Sequence, residues 1–302
     1  MQPRFTPISD PSSLDRQGPY REVLAACSQI PSDYSFINLW GWALNYGLEW
    51  AWEHGLVWIR QTLPETVYWA PVGPWQSVDW GVAIASLSSE PIRFIRVPDH
   101  LLGLWKRLPG LRCRYMETRG HWDYVYSVPE LVALKGNRFH KKKNLLSQFL
   151  KRYDYQYQPF EPDLVKQVLA MQADWCLWRD CESSETLTAE NIAVERVLTR
   201  WDALHGILGG IIRVDDQLVA YTVADALTDG TLVIHFEKGC TRITGIYQAI
   251  NQMFLESLGD RFARVNREQD LDDPGLRKAK LSYQPIDLLE KYEVTLYRSP
   301  PH

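Results

Sequence analysis

Leu208-Gly-Gly-Ile-Ile-Arg-Val214, Asp215-Asp216, Leu218-Val-Ala-Tyr-Thr-Val-Ala-Asp-Ala226, Thr228-Asp229-Gly230 and Leu232-Val-Ile-His-Phe-Glu237 follow one another in the second half of the chain. Apolar runs separated by short Asp/Gly turn signals predict a three-stranded antiparallel meander. Lys238–Thr244 reads as a loop leading into a helix over Gly245–Leu258. A strand at Arg264–Asn266, a helix at Gly275–Ser282 and a last strand at Tyr292–Tyr297 complete the half. Two helices precede the meander. One runs from Pro162 to about Arg179, with Leu164, Val165, Val168, Leu169 and Trp175 at helical spacing, and the other spans Asn191–His205.

The first half opens with an amphipathic helix after Pro11–Ser13, followed by strands at Leu48–Glu53, Leu56–Thr62 and Val67–Ala70. Ile92–Val97 is a further strand, and Pro98 opens a helix through about Arg107. Arg112–Thr118 and Trp122–Tyr126 predict a hairpin around Arg119-Gly120. Ser127-Val-Pro129-Glu130 supplies a capping serine, an early proline and a glutamate three residues after the cap, the start of a helix. In the second half, the order helix, helix, meander, helix, strand, helix, strand resembles the GNAT-type acyltransferase fold. There, antiparallel strands lead to a splayed parallel pair beside the ligand crevice. The first half reads as a diverged second copy. The expected fold is α+β, two tandem GNAT-like domains over residues 1–155 and 156–302, each a mixed, mostly antiparallel sheet flanked by helices.

Composition agrees with two domains. The chain has 302 residues, 45% of them apolar and 23% charged, which excludes wholesale disorder. A net charge of −4 excludes a uniformly basic nucleic-acid coat. The average hides an asymmetry: Lys135–Arg152 carries seven Lys/Arg and no acid, which leaves −11 for the rest. Ten of the 13 tryptophans lie in the first half, which suits packing and wall-building better than catalysis. The five cysteines show neither C-x-x-C nor Cys/His metal spacing. Cys176 and Cys181 are close enough to meet across a helix turn, but buried free thiols are the expectation. Arg4, Asp10, Asp15 and Arg16 exclude a secretory signal, and Asn38, Asn45, Glu49, Glu53 and His54 make Phe36–Ile59 too polar to span a bilayer. The expected location is cytoplasmic, with peripheral membrane contact left open.

Four signals carry chemistry. Arg242-Ile-Thr-Gly245-Ile-Tyr247 partly fits the R/Q-x-x-G-x-G/A loop with which acetyl-coenzyme A users seat a pyrophosphate on backbone amides, but Tyr247 stands where a second small residue belongs. Strand alternation sets His235 and Glu237 on one face, at the sheet edge where such folds place ligands. Glu237 beside Lys238 offers a general base or an ammonium anchor, with a strand-end ion pair as the plainer alternative. Asn266, Glu268 and Asp270 alternate out of an apolar strand, and Arg277, Lys278 and Lys280 crowd the helix that follows, a cluster suited to an anion. Arg138, Lys141 and Lys142 share a helix face over an apolar stripe of Phe139, Leu145 and Phe149. Such dense like charge points to RNA or lipid headgroups.

Gly136-Asn-Arg138-Phe-His140-Lys141-Lys142-Lys143-Asn144, His235-Phe-Glu237-Lys238-Gly, and Asn266-Arg-Glu268-Gln-Asp270-Leu with Gly275-Leu-Arg277-Lys-Ala-Lys280-Leu-Ser-Tyr283-Gln-Pro285 carry a family resemblance. Over essentially the whole chain they resemble the soluble, free-standing members of the phosphatidylglycerol lysyltransferase C-terminal-domain family. The resemblance implies tandem GNAT-like domains related to peptidoglycan-bridge aminoacyltransferases. Membrane-bound members move an aminoacyl group from aminoacyl-tRNA to a phosphatidylglycerol hydroxyl; a counterpart of their multi-span half is not expected here. The expected reaction is aminoacyl transfer from aminoacyl-tRNA to a hydroxyl or amine, on an anionic lipid headgroup or a small molecule. The expected catalytic residues are Glu237, Lys238, Glu268 and Asp270. Arg138, Lys141 and Lys142 are expected to track the tRNA end, and Lys238, Arg242, Arg277 and Lys280 to hold phosphate or an oxyanion. Asn144, His235, Asn266 and Tyr283 are expected to contact substrate. Neither a metal nor a tightly bound cofactor is expected. Acetyl-CoA-dependent N-acetyl transfer, and a non-catalytic module binding RNA or anionic membrane, are the alternatives.

Overall fold

A computed structural model describes residues 3–87, 91–228 and 230–298. Asp229, in the expected Thr228-Asp229-Gly230 turn, lies outside them. The chain forms two compact units: Met1–Asp123 with Leu289–His302, and Tyr124–Leu288.

The first unit runs β1 (Thr6–Pro7), α1 (Gln17–Ala25), α2 (Phe36–Tyr46), β2 (Glu49–Glu53), β3 (Leu56–Gln61), β4 (Val67–Val72), α3 (Trp80–Ser86), β5 (Ile92–Pro98), α4 (Asp99–Trp105) and β6 (Leu111–Glu117). His54-Gly55, with φ of 58° and 73°, forms the tight turn between β2 and β3. The helix α2 is capped by Ser35, whose hydroxyl accepts from the Ile37 amide at 3.1 Å, and ends at left-handed Gly47. A Cβ on Gly47 would collide with Thr62 Oγ1. Seven of the ten tryptophans of this half are buried, with Trp80 and Trp105 edge to face at 5.4 Å and Phe94 on Trp105 at 4.9 Å. They form its core, as the composition suggested.

The second unit runs β7 (Asp123–Ser127), α5 (Val128–Ala133), α6 (His140–Arg152), β8 (Tyr155–Pro159), α7 (Val165–Arg179), α8 (Glu185–Leu198), β9 (Ile207–Val214), β10 (Gln217–Thr228), β11 (Thr231–Gly239), α9 (Ile246–Ser257), β12 (Arg264–Asn266), α10 (Pro274–Leu281) and β13 (Asp287–Leu289). The predicted meander is β9–β10–β11. Asp215 and Asp216 turn it with φ of 49° and 62°. β12 lies parallel to β11 across the α9 crossover, as β5 lies parallel to β4 across α3. The basic helix α6 packs on α9. The helix expected at Asn191–His205 begins earlier, at Ser184, whose hydroxyl accepts from the Leu187 amide at 3.3 Å, and ends at Leu198. Cys176 and Cys181 form a disulfide, so the expectation of two free thiols is corrected.

Among the described residues, both sheets have seven strands in the same arrangement. The first is ordered β1-β2-β3-β4-β5-β14-β6, where β14 is Lys291–Arg298, and the second β8-β9-β10-β11-β12-β7-β13. The GNAT-like fold is therefore present twice. Its sixth strand comes in each case from the other half of the sequence. This overturns the predicted Arg119-Gly120 hairpin: β6 pairs with β14 and β7 with β12. It also places the division at 123/124 and 288/289 rather than at 155, a position now inside the second unit.

Lys291 at the start of β14 is fully buried. Its ammonium donates to Asp123 at 2.6 Å and to Asp33, which also accepts from Arg96. Burial alone would raise the Asp33 pKa, but Lys291 and Arg96 outweigh it and hold the carboxyl well below its usual range. Breaking one partner of such a group leaves an uncompensated buried charge. Lys291→Met is expected to lower the unfolding free energy by about 3–5 kcal/mol in denaturant titrations; a change below about 1 kcal/mol would contradict this role.

Candidate functional site

The candidate site grows from the carboxyl ends of the parallel strands β11 and β12. In β11, Phe236 opposes Val223 and Ile234 opposes Ala224, so His235 is an extra, bulged residue. Bulges re-aim side chains beside functional sites. This one breaks the alternation that placed His235 and Glu237 on one face. The His235 ring lies between two carboxylates, Nε2 3.0 Å from Asp225 Oδ1 and Nδ1 2.9 Å from Glu268 Oε1. Burial opposes a charge on this ring, yet the two carboxylates outweigh it and hold the pKa up at about 9. This favours the imidazolium form, which clamps Glu268. Glu268 itself has φ of 57°, a conformation that costs energy for a non-glycine residue. Asn266 stabilises it by accepting from the Glu268 amide at 2.8 Å.

Glu237 faces α9 and the end of β12. Its Oε1 accepts from Arg267 Nη2 at 2.8 Å and its Oε2 from Asn251 Nδ2 at 3.2 Å. The Arg267 guanidinium lies 4.9 Å from the Tyr283 ring centroid, and Lys142 Nζ from the first turn of α6 lies 4.0 Å from it. Burial and the nearby Arg267 charge lower the Lys142 pKa to about 8. Tyr283 is buried and its hydroxyl accepts from Gln248 at 3.1 Å.

Asp270 is a structural hub. It is fully buried and accepts from Arg277 at 2.7 and 2.8 Å, from the Tyr124 hydroxyl at 2.5 Å and from the Asp272 amide at 2.9 Å. Burial works against its charge, but these donors outweigh it and depress the pKa to about 2. Arg277 also holds Asp272 at 2.6 Å, so its fork is committed to carboxylates. Lys280 donates to the Arg267 carbonyl. Asn266 to Asp270 thereby bring five consecutive residues onto one anchored loop.

Other predicted residues lie apart from it. Lys238 faces the opposite direction from Glu237, donating to Glu190 of α8 at 2.7 Å with Trp175 of α7 at 3.9 Å. Arg242 is exposed and lies 5.0 Å from the Trp178 ring. Arg138 pairs with Glu130, and Lys141 and Asn144 are exposed on α6. The loop before α9 is occupied by the protein itself. A Cβ on Gly245 would collide with the Leu145 carbonyl of α6. The Thr244 amide donates to the Tyr153 hydroxyl at 3.2 Å, and the amides of Ile243 and Ile246 donate to Cys240 at 3.0 Å and Ile243 at 3.3 Å.

Sequence reasoning missed Arg267, Asp225 and the tyrosines of β7. A lone aspartate inside the apolar run of β10 was the available signal for Asp225. Arg267 sat within the quoted motif, but its parity hid it among the alternating acids.

Residues 25–295 match the family described as phosphatidylglycerol lysyltransferase, C-terminal. A conserved protein of unknown function from Bacteroides thetaiotaomicron is 30% identical, with 98% of this chain and 100% of that one covered and a TM-score of 0.89. The C-terminal domain of an Agrobacterium fabrum protein described as a lysylphosphatidylglycerol synthetase is 13% identical, covering 94% and 91% at a TM-score of 0.64. L-PGS from Bacillus licheniformis is 12% identical, covering 97% and 93% at 0.61. The last two likenesses concern the fold alone. No curated protein matches the chain. Among the described residues no helix is long and apolar enough to cross a membrane.

The raised pKa of His235 makes its stabilisation complete below the ordinary histidine range near pH 6.5 and lost as pH rises through about 9. Between pH 6.5 and 9.5 the protein is expected to lose about 2–3 kcal/mol of unfolding free energy more than His235→Gln does. Parallel pH profiles for the two proteins would contradict a charged His235.

Proposed function

We propose that this chain, which belongs to the phosphatidylglycerol lysyltransferase C-terminal family, moves an aminoacyl group from the ester of an aminoacyl-tRNA to a hydroxyl or amine acceptor. Its class, a transferase, follows from the family; the donor and the residue roles are the proposal. The observation that carries it is the occupied loop before α9. A pyrophosphate seated there needs free amides and a close backbone approach. Three of these amides are already bonded and the α6 backbone abuts Gly245. An acetyl-CoA donor is disfavoured on that ground. The exposed cations of α6, Lys141 and Lys143 beside Asn144, instead offer a track for a single-stranded phosphodiester.

An aminoacyl ester is already activated, so the protein must position it, oppose the developing oxyanion and manage one proton. Glu268, partly buried and clamped by His235, anchors the α-ammonium of the aminoacyl group. Arg267, fixed by Glu237, faces the carbonyl oxygen as negative charge develops. Asp270, Arg277 and Lys280 keep the loop in place rather than touching substrate.

Purified protein is expected to release a labelled aminoacyl group from charged tRNA into the lipid or small-molecule fraction of a cell extract. Glu268→Gln is expected to reduce that rate about 10–100-fold, the scale of one lost charged contact. Absence of transfer from every charged tRNA would overturn the reading. Salt-sensitive tRNA binding without transfer would identify a binding module instead.

A further inference from the structure

Resting on the aminoacyl-transfer reading, we propose that Lys142 Nζ is the catalytic proton carrier of the reaction, taking the acceptor's proton and returning it to the departing ribose oxygen. The obvious base, Glu237, is badly placed for this work. Both its carboxylate oxygens already accept hydrogen bonds, from Arg267 and from Asn251, and it is nearly buried. Lys238 and Lys291 are tied to carboxylates, and Lys280 to a backbone carbonyl. Lys142 is different. It is half-buried, rests over the Tyr283 ring at 4.0 Å, and has no carboxylate partner among the described residues.

Burial and the Arg267 charge favour the neutral amine and outweigh the pull of the Tyr283 ring face on an ammonium. The groups that face Lys142 are Arg267, from the end of β12, and Tyr283, following α10. Arg267 repels an ammonium, although Glu237 of β11 partly offsets that charge from behind. Burial removes hydration from the ammonium. On its own helix the flanking Lys141 and Lys143 are exposed cations, and Arg138 pairs with Glu130. Lys142 also sits in the first turn of α6, at the positive end of the helix dipole. An amine titrating near neutral pH is suited to accepting and then donating a proton.

The step balances without a further reactant. The acceptor's O–H or N–H bond breaks as its oxygen or nitrogen bonds to the ester carbonyl carbon, and neutral Nζ becomes an ammonium. The tetrahedral centre then collapses. The bond from the carbonyl carbon to the terminal ribose oxygen breaks, and Nζ returns its proton to that oxygen.

Lys142→Arg separates this role from simple charge, because guanidinium stays protonated throughout the accessible pH range. The test uses the full chain, tRNA charged with labelled amino acids, and the lipid and metabolite fractions of a cell extract as acceptors. Lys142→Arg is expected to bind charged tRNA within about threefold of wild type yet transfer at least about 100-fold more slowly. Lys142→Cys alkylated with 2-bromoethylamine, which restores a less basic amine, is expected to regain transfer with its pH–rate inflection moved to lower pH. Wild-type protein treated with the same reagent controls for the native thiols. Active wild type with a Lys142→Arg variant at more than about a third of its rate would overturn the proton-carrier role while leaving the aminoacyl-transfer reading intact. Inactive wild type would remove both.

Discussion

The pairing of β7 with β12, mirrored by that of β14 with β5, is the constraint on which the rest of this molecule depends. Each seven-stranded sheet is completed by a strand from the other half of the sequence. Neither sheet is whole until residues far apart in the chain have met, a topology dominated by non-local contacts. Buried charge fixes the register at one end. Lys291 must reach both Asp33 and Asp123, 258 and 168 positions away, and has no water to fall back on. This explains a cationic residue at a position that otherwise suits an apolar side chain.

In the second unit the same constraint builds the site. The Tyr124 amide donates to the Glu268 carbonyl at 3.2 Å and the Arg267 amide to the Tyr124 carbonyl at 2.9 Å. The Tyr124 hydroxyl holds Asp270, and Tyr126 places its ring 5.9 Å from Arg267. β7 therefore sets the backbone of the acidic loop and the orientation of its arginine. Asn266, Arg267, Glu268 and Asp270 can then point to different partners without the loop collapsing. The strained Glu268 backbone persists because hydrogen bonds on both its amide and its carbonyl determine it.

Much of the local structure was legible in the sequence. The meander, its Asp215-Asp216 turn, the strand β12 and the capped α10 each carry a local signal, in periodicity or turn chemistry, while the parallel run of β12 is implied only by the fold resemblance. The helix α2 did not, because its FINLWGWALNY run is apolar almost all round and offers no polar stripe. Partner choice was also hidden. Alternation in β6 and β7 shows that both are strands but not that they enter different sheets. In the site, the sequence names candidate residues but not how they group. A single bulge at His235 uncouples it from Glu237, and Lys238 is adjacent in sequence but turned toward α7 and α8. A disulfide between Cys176 and Cys181 likewise depends on where the chain turns after α7, which spacing alone does not fix.

The proposal that matters most is that the second unit receives its acyl group from a tRNA ester and not from coenzyme A. The direct measurement is calorimetric titration of the protein with two ligands. One is an acceptor-stem RNA minihelix carrying a non-hydrolysable aminoacyl amide at its 3′ end, compared with the same RNA uncharged; the other is acetyl-CoA. Tighter binding of the charged minihelix than of the uncharged one, and no binding heat from acetyl-CoA, are expected. Saturable acetyl-CoA binding, with charged and uncharged RNA indistinguishable, would contradict it.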